Sequence, residues 1–174
     1  AIFAPDIKRV GEAGSYSYTI GRPGQLNRPM RSGVDYGNAM RFSNWLHNGQ
    51  PTGAQDGSPT EDGAYPLNGA SSNEDLANAL KARLEGWRYA LPTIDEWYKA
   101  AYYDPGKDGS GGYWPYACKG GSAPPCNLNS NAIQEVGSFA TATAYGTFDQ
   151  NGNLWEYNEH RTGDKVGLRG GSFF

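Results

Sequence analysis

The sequence predicts an α+β fold in which short strands and two or three helices are set among ordered loops around an aromatic core. Three observations predict it. Glycine occurs 25 times and proline 11 times in 174 residues, so turns are frequent and long elements are few. Aromatic residues make up 13% of the chain, with 12 Tyr and 5 Trp. Side chains of that size fill a core even though the mean hydropathy is -0.70. The apolar periodicities come in short bursts, some of period two and some of helical spacing. At 18.8 kDa the chain has the size of a single domain spanning residues 1–174.

The elements follow in order. SYSYTI, residues 15–20, alternates Ser or Thr with Tyr or Ile and reads as a half-buried strand ending at Gly21. In the stretch 34–49 the spacing of Ala39, Phe42, Trp45 and Leu46 predicts a helix over 37–47, stopped by Asn48-Gly49. Residues 50–72 are nearly all turn formers and read as one long loop. A second helix follows, capped by Ser72 and Asp75, with Leu76, Leu80 and Leu84 on one face and Gly86 as its stop. Pro92 ends a short strand. Thr93 and Glu96 then form a capping box for a third helix, with Trp97, Ala100 and Ala101 on its apolar face and Asp104-Pro105-Gly106 at its end. The remainder, GGYWPYA, EVGSF, LWEY and VGLRGGSFF, reads as short strands and loops. Trp87, Trp97, Trp114 and Trp155 are expected to pack in the core. The tyrosines Tyr102, Tyr103, Tyr113 and Tyr116 flank the loop DPGKDGSGG and offer a face for a sugar or a peptide.

Charge excludes some functions. The net charge is -3 and the pI about 5.4, with Lys and Arg scattered, which argues against a nucleic-acid partner. The nearest approach to a basic patch, RPGQLNRPMR at 22–31, reads as a surface loop. No apolar run approaches the ~20 residues of a membrane span, and no leader-like segment opens the chain. The two cysteines, Cys118 and Cys126, are either unrelated thiols or a disulfide closing the loop KGGSAPP. A bridge there contributes about 2–3 kcal/mol and points to an oxidising compartment. His47 and His160 lie in no metal or triad pattern.

The segment DQNGNLWEY, 149–157, places Asp149 and Glu156 at the two ends of an Asn-Gly turn. A bend alone needs neither acid, whereas a bound hard cation needs both. The other reading is an Asx turn capped by Asp149, with Glu156 solvated or paired with Arg169.

Five pieces in register carry a family resemblance: VDYGNAMRFSNWL, ALPTIDEWYKAAYYD, EVGSF, DQNGNLWEY and LRGGSFF, spanning Val34 to Phe174. Together they resemble the formylglycine-generating-enzyme/sulfatase-modifying-factor domain family, in its bacterial secreted or surface branch. The resemblance implies a fold related to C-type lectins. It also implies a calcium loop whose ligands here are the side chains of Asp149 and Glu156 and the carbonyls of Gly152 and Leu154. A second family calcium loop falls near Asn127-Leu128, where LNSNAIQEV lacks the acidic partner unless Asn129, Asn131 or Glu135 replaces it.

The family's catalytic members are oxidases that convert a sulfatase cysteine to formylglycine with copper held by two cysteines. Those cysteines follow the Arg-Gly-Gly-Ser segment, here 169–172, and neither Cys118 nor Cys126 occupies their place. The expected function is therefore a non-catalytic, calcium-stabilised binding or structural module, extracellular, on the cell surface or periplasmic. Its partner is a protein or a glycan, and it forms one piece of a larger surface assembly. A copper-dependent oxidase seen as a chain truncated at its C-terminus is the alternative, and a variable-loop ligand-display protein is the third reading.

Overall fold

The computed structural model describes residues 7–12, 15–21, 23–30, 34–52, 56–81, 83–128, 130–139 and 141–173. Ala1, Arg22, Arg31, Asn129 and Phe174, which enter the readings above, lie outside the described residues. The elements run β1 (Ile7–Val10), β2 (Ser17–Ile20), α1 (Tyr36–His47), α2 (Ser58–Glu61), α3 (Asn73–Ala79), α4 (Ile94–Tyr102), β3 (Tyr103–Asp104), β4 (Gly112–Tyr113), β5 (Glu156–Thr162) and β6 (Lys165–Arg169). The strands form three two-stranded sheets, β1 with β2, β3 with β4 and β5 with β6. Ile7 stands opposite Ile20, and Tyr103 opposite Tyr113, in antiparallel register. Short helices and small sheets among loops make this an α+β fold. The chain divides into two compact units, one of residues 1–23, 30–91 and 161–166, the other of 24–29, 92–160 and 167–174.

In the first unit α1 starts at Asp35, whose carboxylate accepts from the Asn38 N–H at 2.7 Å. The buried residues of α1 are Tyr36, Gly37, Ala39, Met40, Ser43 and Asn44. This corrects the expected face, because Phe42 is exposed and stacks on Trp45 with centroids 5.7 Å apart. The reason is Asn44. Its amide is fully buried, donates to the carbonyls of Thr60 (2.9 Å) and Tyr65 (2.8 Å), and accepts from the Tyr65 N–H (3.0 Å). A buried amide with three partners fixes which side of the helix turns inward. It also ties down Thr60 and Tyr65 of the turn-rich stretch, in which Ala64, Tyr65, Leu67 and Ala70 are buried.

Helix α3 has the expected capping box between Ser72 and Asp75, but it closes at Leu80 instead of running to Gly86. The Leu84 N–H donates to the Ala64 carbonyl at 3.0 Å, so its backbone is taken by another segment. The strand expected before Pro92 is likewise replaced by a tie from the Leu91 N–H to the Tyr65 hydroxyl at 2.8 Å. Strand β2 forms where SYSYTI predicts one, yet all four of its residues are exposed rather than half-buried.

In the second unit both halves of the Thr93–Glu96 capping box are made, at 3.1 Å and 2.8 Å. Helix α4 buries Trp97 and Ala101 in a cluster with Ala117, and Tyr102 packs against it. Past its end the buried Asp104 carboxylate accepts from the Gly106 N–H (2.8 Å) and the Trp114 indole N–H (3.1 Å). Burial opposes its charge less than those two donors favour it, so the Asp104 carboxyl lies below its ordinary range. EVGSF forms a turn rather than a strand, tied by the Val136 N–H to the Asn27 carbonyl at 2.8 Å. Of the four tryptophans expected in the core, Trp97 is buried, whereas Trp87 and Trp155 are 41% and 54% exposed. Trp87 instead receives the Arg83 guanidinium at 4.3 Å. Among the described residues no helix is long and apolar enough to cross a membrane.

Candidate metal site

The segment 149–156 is an irregular turn in which Asp149, Gly152 and Asn153 all take positive φ, at 62°, 82° and 64°. Gly152 is required at its position. A Cβ there would lie 2.4 Å from the Asn127 carbonyl oxygen, and its φ already favours glycine. Its N–H donates to the Gly170 carbonyl at 2.6 Å, which ties the turn to the chain after β6. Asn153, 3% exposed, binds the turn to the neighbouring segment. Its N–H donates to the Asn127 carbonyl at 2.8 Å, and its carbonyl accepts from the Phe173 N–H at 3.1 Å.

The two acids of this segment lie close enough for the charge of Asp149 to act on Glu156. Asp149 is partly buried, and its Oδ2 accepts from the Gly137 N–H at 2.7 Å, a residue outside its own turn. Glu156, at the start of β5, is partly buried, and its Oε2 accepts from the Trp97 indole N–H at 2.5 Å. Burial pushes the Glu156 carboxyl up to about 7; the indole N–H works against that rise, and the charge of Asp149 adds to it. Arg169, the alternative partner for Glu156, donates to the Leu168 carbonyl at 2.8 Å.

Two acids and the backbone carbonyls of a turn are hard oxygen donors, the class of ligand that calcium takes. The charge of Asp149 adds to the proton affinity of Glu156, a repulsion that a hard cation would relieve. Among the described residues no group of three or more His, Cys, Asp and Glu stands close enough to hold a metal. The donors that 149–156 offers are therefore the two acids and backbone carbonyls, all of them oxygens. Of the expected ligands, Asp149, Gly152 and Glu156 sit in one turn-and-strand segment, with Leu154 partly buried between Gly152 and Glu156. Trp155 points outward because side chains alternate on entering β5.

Three residues of this site escaped the sequence reading. Trp97 looked like core alone, Gly137 like strand, and Asn153 like turn filler. The Asn in Gly-Asn after a first turn residue was the available signal, since Asn tolerates positive φ and its amide reaches backbone partners.

The cysteines stand apart from this chemistry. The bridge expected between Cys118 and Cys126 is not formed in the structure, and both thiols are free. Cys118 is buried with its Sγ 3.6 Å from the Ser122 carbonyl, and burial pushes its thiol up, away from the reactive thiolate. His47 is absorbed structurally, its Nδ1 accepting from the Arg88 N–H at 3.1 Å.

The model of the sulfatase-modifying factor enzyme 1-like domain family matches residues 15–174. No curated protein and no solved structure gives a match.

Proposed function

The chain belongs to the sulfatase-modifying factor enzyme 1-like domain family, and from that premise we propose that it works as a calcium-stabilised binding or structural module outside the cell. One observation carries the reading. Asp149 and Glu156 flank a positive-φ turn at partial burial, and burial, with the charge of Asp149 adding to it, raises the proton affinity of Glu156. Calcium held there by these carboxylates and by the carbonyls of Gly152 and Leu154 neutralises the pair. It also fixes the 149–156 turn against Gly170 and Phe173. The ion's role is structural: it supplies charge and a coordination point, and the loops it rigidifies present the binding surface to a protein or a glycan. Extracellular modules of this kind bind calcium at about 10⁻⁴–10⁻³ M, a range met outside cells.

The test is thermal unfolding in chelator and in millimolar calcium. At [Ca²⁺] of about 100 times Kd, binding to the folded state alone adds about 2.7 kcal/mol. The melting temperature is expected to rise by several degrees in the native chain and to stay level in Asp149→Asn. Equal melting curves with and without calcium would sink the reading.

A further inference from the structure

The segment 127–134 reads NLNSNAIQ and contains no carboxylate. It is held instead by two buried amides, Asn127 at 2% and Asn153 at 3% exposure. The Asn127 Nδ2 group donates to the Ala132 carbonyl at 2.9 Å and to Asn153 Oδ1 at 3.0 Å, while Asn127 Oδ1 accepts from the Ser130 hydroxyl. Asn153 Oδ1 also accepts from the Gln134 N–H at 3.0 Å, and its Nδ2 donates to the Gln134 carbonyl at 3.3 Å. Glu135, the nearest acid, is exposed.

A hard cation gathers oxygens at about 2.3–2.6 Å around itself. Among the described residues, two oxygens, the Ala132 carbonyl and Asn153 Oδ1, instead converge on the Asn127 NH₂ group at hydrogen-bonding distance. A donor nitrogen bearing two hydrogens repels a cation, and no charge is present to balance one. We propose that this amide clasp does the cross-linking that a second ion would do. Segment 127–134 takes no cation, and Asn127 and Asn153 are positioning residues for the 149–156 loop. The placement fits the role: Asn153 lies between the Gly152 and Leu154 carbonyl positions, and Asn127 forms an isolated bridge with Gly152. The positioning half of the inference rests on the calcium reading above; the clasp itself does not.

Calcium titration calorimetry separates the two. The native chain is expected to take one equivalent and Asp149→Asn none. A second equivalent in the native chain, with one remaining in Asp149→Asn, overturns the clasp and leaves the calcium loop standing. No heat in either sinks the calcium reading and leaves the segment cation-free. The positioning role is read from Asn153→Ala, expected to weaken calcium by about 10–100-fold at unchanged stoichiometry, as loss of a ligand's supporting partner does. Unchanged affinity overturns it. Asn127→Asp tests the clasp without any metal, because it sets a carboxylate against the Ala132 and Asn153 oxygens. It is expected to melt several degrees lower in chelator, and a native melting temperature there overturns the clasp.

Discussion

Two turn-rich segments of this chain, 50–72 and 127–156, are held by opposite electrostatics. Each is organised by a buried asparagine that stitches backbone groups together, Asn44 in the first and Asn153 in the second. Each also contains a partly buried glutamate. Glu61 meets the Arg41 guanidinium at 2.6 Å and the Gly69 N–H at 2.6 Å, and Arg41 reaches on to the Ala70 carbonyl at 2.8 Å. Burial disfavours its charge, yet Arg41 and the Gly69 N–H outweigh that and hold the Glu61 carboxyl below its ordinary range. Glu156 accepts from an indole N–H, and burial, with the charge of Asp149 adding to it, raises its carboxyl to about 7. Glu61 receives its counter-charge from Arg41 on α1, whereas Glu156 feels the like charge of Asp149. On the calcium proposal, the 149–156 loop takes its counter-charge from solution.

The largest way to break this comparison is Asn44→Ala. It leaves the Thr60 and Tyr65 carbonyls and the Tyr65 N–H without their partner and empties a buried volume. We expect a loss of about 3 kcal/mol by urea denaturation, the same in chelator and in calcium. A loss that calcium repairs would erase the distinction between the segments.

Next in size is the pH response of Glu156. Between its ordinary value of 4.5 and the raised value of about 7, the folded state keeps a proton that the unfolded chain has released. Without calcium, stability therefore falls as pH rises through that window, by about 1–3 kcal/mol, and levels off above it. Calcium binds the ionised form, so its addition opposes the fall. Glu156→Gln should flatten the pH profile in chelator and abolish the response to calcium. A profile in chelator as steep as that of the native chain would assign the slope to another group.

The smallest effect sharpens the contrast from the other side. Arg41→Lys keeps the charge beside Glu61 but loses the fork that also reaches the Ala70 carbonyl. We expect a cost of about 1 kcal/mol near neutral pH. The Glu61 contribution is present above its ordinary value of 4.5 and lost as pH falls below it, the reverse of Glu156. Unfolding curves at pH 3.5 and 7 read both signs: the Arg41→Lys deficit should shrink at the lower pH, and an equal deficit at both would remove the ion pair from the account.

The comparison also marks what a sequence makes legible. Interactions within a few residues were readable: the Thr93–Glu96 and Ser72–Asp75 boxes, the Asp104-Pro105-Gly106 stop, and a turn placing Asp149, Gly152 and Glu156 in one short segment. What failed was whatever depended on a partner far along the chain. Apolar spacing put Phe42 inside α1, but the demands of the Tyr65 backbone put Asn44 there. The leucine repeat ran past Ala79, but Leu84 was claimed by Ala64. Spacing left Cys118 and Cys126 open between a bridge and unrelated thiols, and the contact of the Cys118 thiol with the Ser122 carbonyl is announced by neither. Trp97 and Glu156 are 59 positions apart, and no local pattern announces their hydrogen bond.

That last bond makes the chain its own indicator. An indole is a fluorophore, and the Trp97 N–H lies against the Glu156 carboxyl, whose charge changes with pH. Ionisation of Glu156 alters the local field along the indole dipole and so shifts the emission of that ring. Trp97 is 4% exposed, out of reach of an aqueous quencher such as iodide, while Trp155 at 54% and Trp87 at 41% are open to it. Quenching the exposed rings leaves Trp97 with only the half-buried Trp45 and Trp114, which Phe substitution removes. On the calcium proposal, the arrival of an ion at the loop then becomes an optical event, with no dye attached.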